Sequence, residues 1–172
     1  MRKMNKGFTL AEVLMVTVMV AVIMGALAYM FQVVVASWST QGARSGLGVG
    51  VNKAVEEMAR GLRNAQELGS LNSDEIRFTT DGNTYYIYYL YSPSDHYPSQ
   101  FTQTLYQVKK ATLTGGIGGT FTYGSGDFIT RDVQPPPASE LSWLGPVVTI
   151  DLSASRGVNT IRAATKVRSR NI

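Results

Sequence analysis

Lys6-Gly7-Phe8-Thr9-Leu10-Ala11-Glu12-Val13-Leu14 leads into nineteen residues, Val13 to Phe31, of which only Thr17 is polar. At about 1.5 Å per residue this run makes about 28 Å of helix, close to the roughly 30 Å hydrocarbon core of a bilayer. Val and Ile are frequent in it, but inside lipid each backbone group must be paired within its own segment, so helix prevails over β preference. The start of the helix is written locally. Thr9 and Glu12 form a T-x-x-E capping box, and Phe8 and Val13 occupy the positions of a hydrophobic staple, which places the first helical residue near Leu10. A buried core helix is the competing reading, and the rest of the chain is too polar to enclose one.

Charge is as unevenly distributed as apolar content. The 172 residues carry 16 Lys and Arg against 12 Asp and Glu, a net charge of +4, with 44% hydrophobic residues. Arg2, Lys3 and Lys6 precede residue 7, and without the first seven residues the balance is 13 against 12. A general polyanion-binding surface therefore loses most of its support. Three cations before the apolar run, and no charged residue after Glu12 until Arg44, predict a cytoplasmic amino terminus and an exported remainder. The same start also suits a secretory signal peptide, with Ala26-Leu27-Ala28 as small residues at a cleavage spacing. Glu12 argues against it, since a carboxylate at the lip of an apolar run is costly unless paired or held at the interface. The chain has no cysteine, so an exported domain depends on packing alone.

The stretch Lys6 to Leu14 with its apolar continuation resembles the cleavage and methylation motif of type IV prepilins and type II secretion pseudopilins. That resemblance implies cutting after Gly7 by a membrane prepilin peptidase, methylation of the new amino terminus at Phe8, and pairing of Glu12 with a neighbouring subunit's amino terminus. It implies a pilin-like α+β fold, a long amino-terminal helix on an antiparallel sheet. Partners would be the peptidase, other pilin or pseudopilin subunits and the inner-membrane assembly platform. The expected division is a leader at 1–7, a transmembrane and filament-core helix at 8–36, its amphipathic continuation at 37–68 and an exported β domain at 69–172. The location would be the inner membrane, single-pass, and then the pilus or pseudopilus. Thr165-Lys166-Val167-Arg168-Ser169-Arg170-Asn171 is also similar to the carboxyl ends of minor subunits of the J and W types. With the lack of a terminal cysteine pair, this points to a minor subunit that initiates, caps or joins a filament.

Outward from the span, Gly42, Gly46, Gly48 and Gly50 weaken the helix, so a bend, melting or close packing is expected there. From Val51 the pattern is amphipathic. Val51, Val55, Met58, Leu62 and Ala65 form one face, opposite Lys53, Glu56, Arg60, Arg63 and Glu67, with i,i+4 pairs Lys53–Glu57, Glu56–Arg60 and Arg63–Glu67 and a stop at Gly69. The period then changes to two. Strands are expected at 76–80 and 84–91 around the turn Asp81-Gly82-Asn83, at 104–113, at 120–123 and 128–133 as a hairpin over Gly124-Ser125-Gly126, at 147–152 and at 159–168. Pro135-Pro136-Pro137 predicts an extended connection.

Little in the chain suggests catalysis. His96 is the single histidine and falls in an expected exposed loop; there is no G-x-S-x-G, H-E-x-x-H or P-loop, so no enzyme activity and no cofactor are expected. Asp95, Asp127 and Asp132 lack EF-hand spacing, so no metal is assigned. The tyrosines at 85, 86, 88, 89 and 91 suggest packing before base stacking, and Lys109 and Lys110 suggest solvated charges. The alternative function, a DNA-binding minor pilin of a competence system, would use Arg156, Arg162, Lys166, Arg168 and Arg170; nucleic acid is otherwise not an expected partner.

Overall fold

A computed structural model of the chain describes residues 9–70, 72, 74–96 and 101–171, with the side chains of residues 39, 40 and 43 outside the description. One helix, α1 (Leu10–Arg63), is followed by β1 (Glu67–Gly69), β2 (Glu75–Thr79), β3 (Tyr85–Tyr91), β4 (Tyr106–Leu113), β5 (Asp127–Val133), β6 (Glu140–Leu144), β7 (Val147–Arg156) and β8 (Asn159–Arg168). The chain divides into two compact units after Gly42. In the first, Leu10 to Trp38 is 29 residues of mean hydropathy 2.4 with nothing packed over it.

In the second unit the carboxyl part of α1 lies on a curled antiparallel sheet. The strands run β1-β2-β3-β4-β5-β7-β6, with β8 on the far side of β7, and the sheet bends until β2 lies beside β6. The apolar face expected from Val51 onward is the one that packs: Val51, Val55, Met58, Leu62 and Ala65 are buried with Leu47 and Ala54 against Ile76, Phe78, Tyr88, Leu90, Val108, Ile150 and Leu152. At about 25 cal/mol per Å² of apolar surface, this is the dominant stabilising contribution. Of the expected ion pairs on the outer face, Glu56–Arg60 forms at 3.2 Å, fully in solvent. Glu67 has left the helix for β1, so it is not one turn from Arg63 on a common face.

The glycines at 42–50 do not interrupt the helix. A β-carbon at Gly48 or Gly50 would meet Ile161 Cδ1 at 3.4 Å or Thr130 Oγ1 at 3.5 Å, ordinary contacts, so close packing within the chain is not what requires them. The helix ends at Arg63, short of the expected 68, because the sheet takes over the backbone: Gln66 N–H donates to Thr79 O at 2.7 Å. The last carbonyls, which no helical turn satisfies, are met by the carboxyl-terminal tail. Arg170 N–H donates to Arg63 O at 3.1 Å, Asn171 Nδ2 to Asn64 O at 3.2 Å, and the buried Ser169 hydroxyl to Ala65 O at 2.6 Å.

The structure departs from the expected pattern in three places. Residues 120–123 form no hairpin strand; Thr120 makes a single bridge to Thr114, and the glycines with positive φ at 124 and 126 turn the chain back over the sheet as a strap. Pro135 to Ala138 is a turn, with Ala138 N–H donating to Pro135 O at 3.1 Å, and β6 follows it. β1 is additional and spans three residues. The Asp81-Gly82-Asn83 turn forms as expected: Asp81 Oδ1 accepts Asn83 N–H at 2.9 Å and Thr84 N–H at 2.7 Å, and those donors hold its carboxyl below the usual range.

The strap covers the convex face of β3 and β4. Ile87, Tyr89, Ala111 and Leu113 form a second buried cluster there, with Tyr85, Tyr91, Phe121 and Tyr123 against it. The Tyr89 and Phe121 rings are 4.7 Å apart, and Tyr89 OH donates to Ser125 O at 2.7 Å. Burial pushes the Tyr89 hydroxyl up to about 12. Arg77 extends from β2 on this same face and is almost fully buried beside the buried Glu75, its Nε 2.7 Å from Glu75 Oε1. It also donates to Ile117 O at 3.1 Å and Gly119 O at 2.7 Å, fastening the strap.

Candidate functional site

The described chain begins at Thr9, so Gly7 and Phe8, the expected cleavage and methylation positions, and the Phe8 half of the staple lie outside the described residues. The Thr9–Glu12 box is present on both sides. Glu12 N–H donates to Thr9 Oγ1 at 3.3 Å, and Glu12 Oε2 accepts Thr9 N–H at 2.9 Å and the Thr9 hydroxyl at 3.1 Å. Thr9 O accepts Val13 N–H at 3.2 Å, and Leu10 is the first helical residue. A carboxylate in the first turn is further stabilised by the positive end of the helix dipole.

Beyond Glu12 the span has no other charge, and the Thr17 hydroxyl is satisfied within the helix: Thr17 Oγ1 donates to Leu14 O at 2.8 Å. Twenty-nine residues of helix extend for about 43 Å, longer than the roughly 30 Å of a bilayer core. Trp38 closes it and is exposed. An exposed apolar helix with a carboxylate held at its first turn has two physical roles: it anchors the chain in lipid, or it buries its surface and its charge against other helices.

Residues 2–28 match the prokaryotic N-terminal methylation motif. No curated protein and no solved structure is significantly similar to the chain. The methylation motif, the long apolar helix and the curled antiparallel sheet together agree with the broad prepilin and pseudopilin superfamily. They also agree with a membrane-anchoring or signal segment at the amino terminus.

The other sequence candidates are dispersed. Among the described residues no group of three or more His, Asp or Glu side chains could hold a metal. Asp127 is exposed on β5, and Asp132 pairs with Arg156. His96 is exposed, but Asp95 beside it is buried, contrary to a fully solvated loop. Asp95 accepts Thr102 N–H at 3.2 Å and the hydroxyls of Thr102 and Tyr106. Those donors, the Thr102 hydroxyl foremost, hold its carboxyl below the usual range.

Asp95 therefore carries an acid-dependent part of the stability. Unfolded, an aspartate titrates near about 3.9; folded, Asp95 titrates lower, so the unfolded chain binds the proton first as pH falls. Its contribution is complete above the unfolded value and is lost through the native one. Urea midpoints measured from about pH 5 to about pH 2 are expected to fall less steeply in Asp95→Asn than in the unaltered chain.

The nucleic-acid reading loses most of its supports. The tyrosines of β3 are packed under α1 or the strap, Lys109 Nζ lies 4.5 Å from the Tyr91 ring centre and Lys110 Nζ lies 4.4 Å from that of Tyr86, so neither lysine is simply solvated. Arg156 is held by Asp132 and Arg162 by Asp151. Lys166, Arg168 and Arg170 remain exposed on one side of the carboxyl-terminal segment.

Proposed function

We propose that the chain is a minor subunit of a type IV pilus or a type II secretion pseudopilus, one that initiates, caps or joins the filament. The observation that carries this reading is the methylation motif at 2–28 running into a capped, wholly uncovered apolar helix with Glu12 in its first turn. In this reading residues 1–7 are a leader, removed by prepilin peptidase after Gly7, and Phe8 becomes the methylated amino terminus. Residues 8–36 hold the precursor in the inner membrane with a cytoplasmic amino terminus. Withdrawal from lipid then leaves the apolar surface to be buried among the helices of other pilin or pseudopilin subunits, with the assembly platform as the site of transfer. Residues 69–172 make the exported contacts. The carboxyl-terminal sequence and the lack of a cysteine pair support a minor role.

Glu12 gives the reading its chemistry. In the single chain Thr9 satisfies the carboxylate; among apolar helices a charge needs a stronger partner, and the ammonium of a neighbouring Phe8 supplies it. Mass spectrometry of the mature protein is expected to place its amino terminus at Phe8, methylated, and any other terminus removes the proposal. Glu12→Ala and Glu12→Gln are both expected to be inserted and cleaved normally while the amount incorporated into filaments falls at least tenfold. Glutamine at this position still caps a helix, so normal incorporation of Glu12→Gln would show that the charge has no part in assembly.

A further inference from the structure

β8 is an outer strand of the sheet. It pairs with β7 along all ten of its residues, from Asn159 opposite Arg156 to Arg168 opposite Val147, and among the described residues no strand lies along its other side. Alternate main-chain N–H and C=O groups on that side thus have no ladder partner. Ile161, Ala163 and Val167 turn toward the core and fix the strand's face. The opposite face carries Arg162, Lys166 and Arg168, and Arg170 continues the two-residue spacing beyond the strand. At about 3.4 Å per residue this row extends for about 27 Å. Its far end is held in place, because Arg170 N–H and Ser169 Oγ are bonded to the end of α1. Asp151 engages Arg162, with Nε to Oδ1 at 2.8 Å. Opposite Lys166 and Arg168 on β7 stand Thr149 and Val147, neither of them acidic.

We propose that β8 is a strand-addition site for an acidic, extended segment of a different protein chain. The free edge supplies main-chain hydrogen bonds, and Lys166, Arg168 and Arg170 select carboxylates at alternate positions of the incoming strand. A second copy of β8 does not fit, because pairing of the two edges brings one row of cations against another. Nor does any other stretch of this chain place acids two residues apart. A nucleic acid would use the cations and leave the main-chain edge unmatched. The inference does not rest on the filament reading, since it needs only the edge and its charges.

The test uses the full chain in detergent micelles and a labelled ten-residue peptide that alternates glutamate with valine or threonine. Fluorescence anisotropy is expected to show binding, and hydrogen exchange of residues 159–168 is expected to slow at least tenfold when the peptide is bound. The Lys166→Glu/Arg168→Glu variant, and separately a peptide with glutamine in place of each glutamate, should bind at least tenfold more weakly. No binding, binding without slowed exchange in β8, or equal binding of the glutamine peptide overturns the proposal. Tighter binding of a duplex DNA that displaces the peptide also overturns it and assigns the row to nucleic acid. The glutamine-peptide comparison uses the unaltered chain and so decides the matter even where the double variant fails to fold.

Discussion

Replacing Arg77 with alanine is expected to destabilise the sheet unit by about 3–5 kcal/mol, the range found when one partner of a buried ion pair is removed. Both groups are out of solvent, Arg77 at 2% exposure and Glu75 at 0%, so the carboxylate loses its counter-ion at a buried position. The guanidinium also serves the strap through the carbonyls of Ile117 and Gly119, and these lose their donor in the same step. Replacing both members with apolar residues, as in Glu75→Leu/Arg77→Met, removes the stranded charge and is expected to cost less than Arg77→Ala alone, the order seen for buried ion pairs elsewhere. Chemical denaturation of the full chain, followed by the near-ultraviolet circular dichroism of its tyrosines, measures both. A single variant less destabilised than the double would show that the pair is not what holds the strap to β2.

Gly126→Ala is expected to cost about 2–6 kcal/mol, from roughly 1–3 for a strained backbone and roughly 1–3 for overpacking. Its φ is +86°, and a β-carbon there would stand 2.1 Å from Lys110 O and 2.7 Å from Ala111 Cα. Both are backbone atoms of β4, so relief requires the strap to lift or the bulged β4–β5 pairing to open. Gly116 is the control. Its φ is +88°, nearly the same, but a β-carbon there has nothing within 4 Å. Gly116→Ala thus carries only the conformational part and is expected to cost about 1–3 kcal/mol. Unfolding free energies of the two variants separate strain from contact, and equal losses would show that the close approach at 126 relaxes freely.

The two glycines also show where reading the chain residue by residue stops. Both sit in Gly-rich stretches that announce turns, yet nothing within several residues of Gly126 indicates that Lys110 will press on it. The same holds for the strap as a whole. Thr120 to Tyr123 has the composition of a strand, but Phe121 and Tyr123 gain more by lying on Tyr89 and Tyr91 than by extending a hairpin. β1 and β6 have no counterpart among the expected strands for a related reason. Three residues are too few for a period of two to show in β1, β6 follows directly on the turn after Pro135, and each becomes a strand where a longer neighbour offers it an edge. Asp95 gives no local sign of burial, since its partners Thr102 and Tyr106 come from the start of β4 and the segment before it.

Legible in the chain itself were the helix start at Thr9 and Glu12, the apolar span, the packing face from Val51 to Ala65 and the positions of most of the strands. These are properties of spacing along the chain, written in hydrogen bonds three residues apart and in periods of 3.6 and 2. Tertiary structure alone decided the buried Glu75–Arg77 pair, the strap over the tyrosines, the free and basic edge at β8, and the clasp in which Ser169 reaches Ala65, 104 residues earlier. Each of these depends on which strands the curl of the sheet brings together. That curl is set by packing against α1, a sum over many side chains rather than a property of any one stretch.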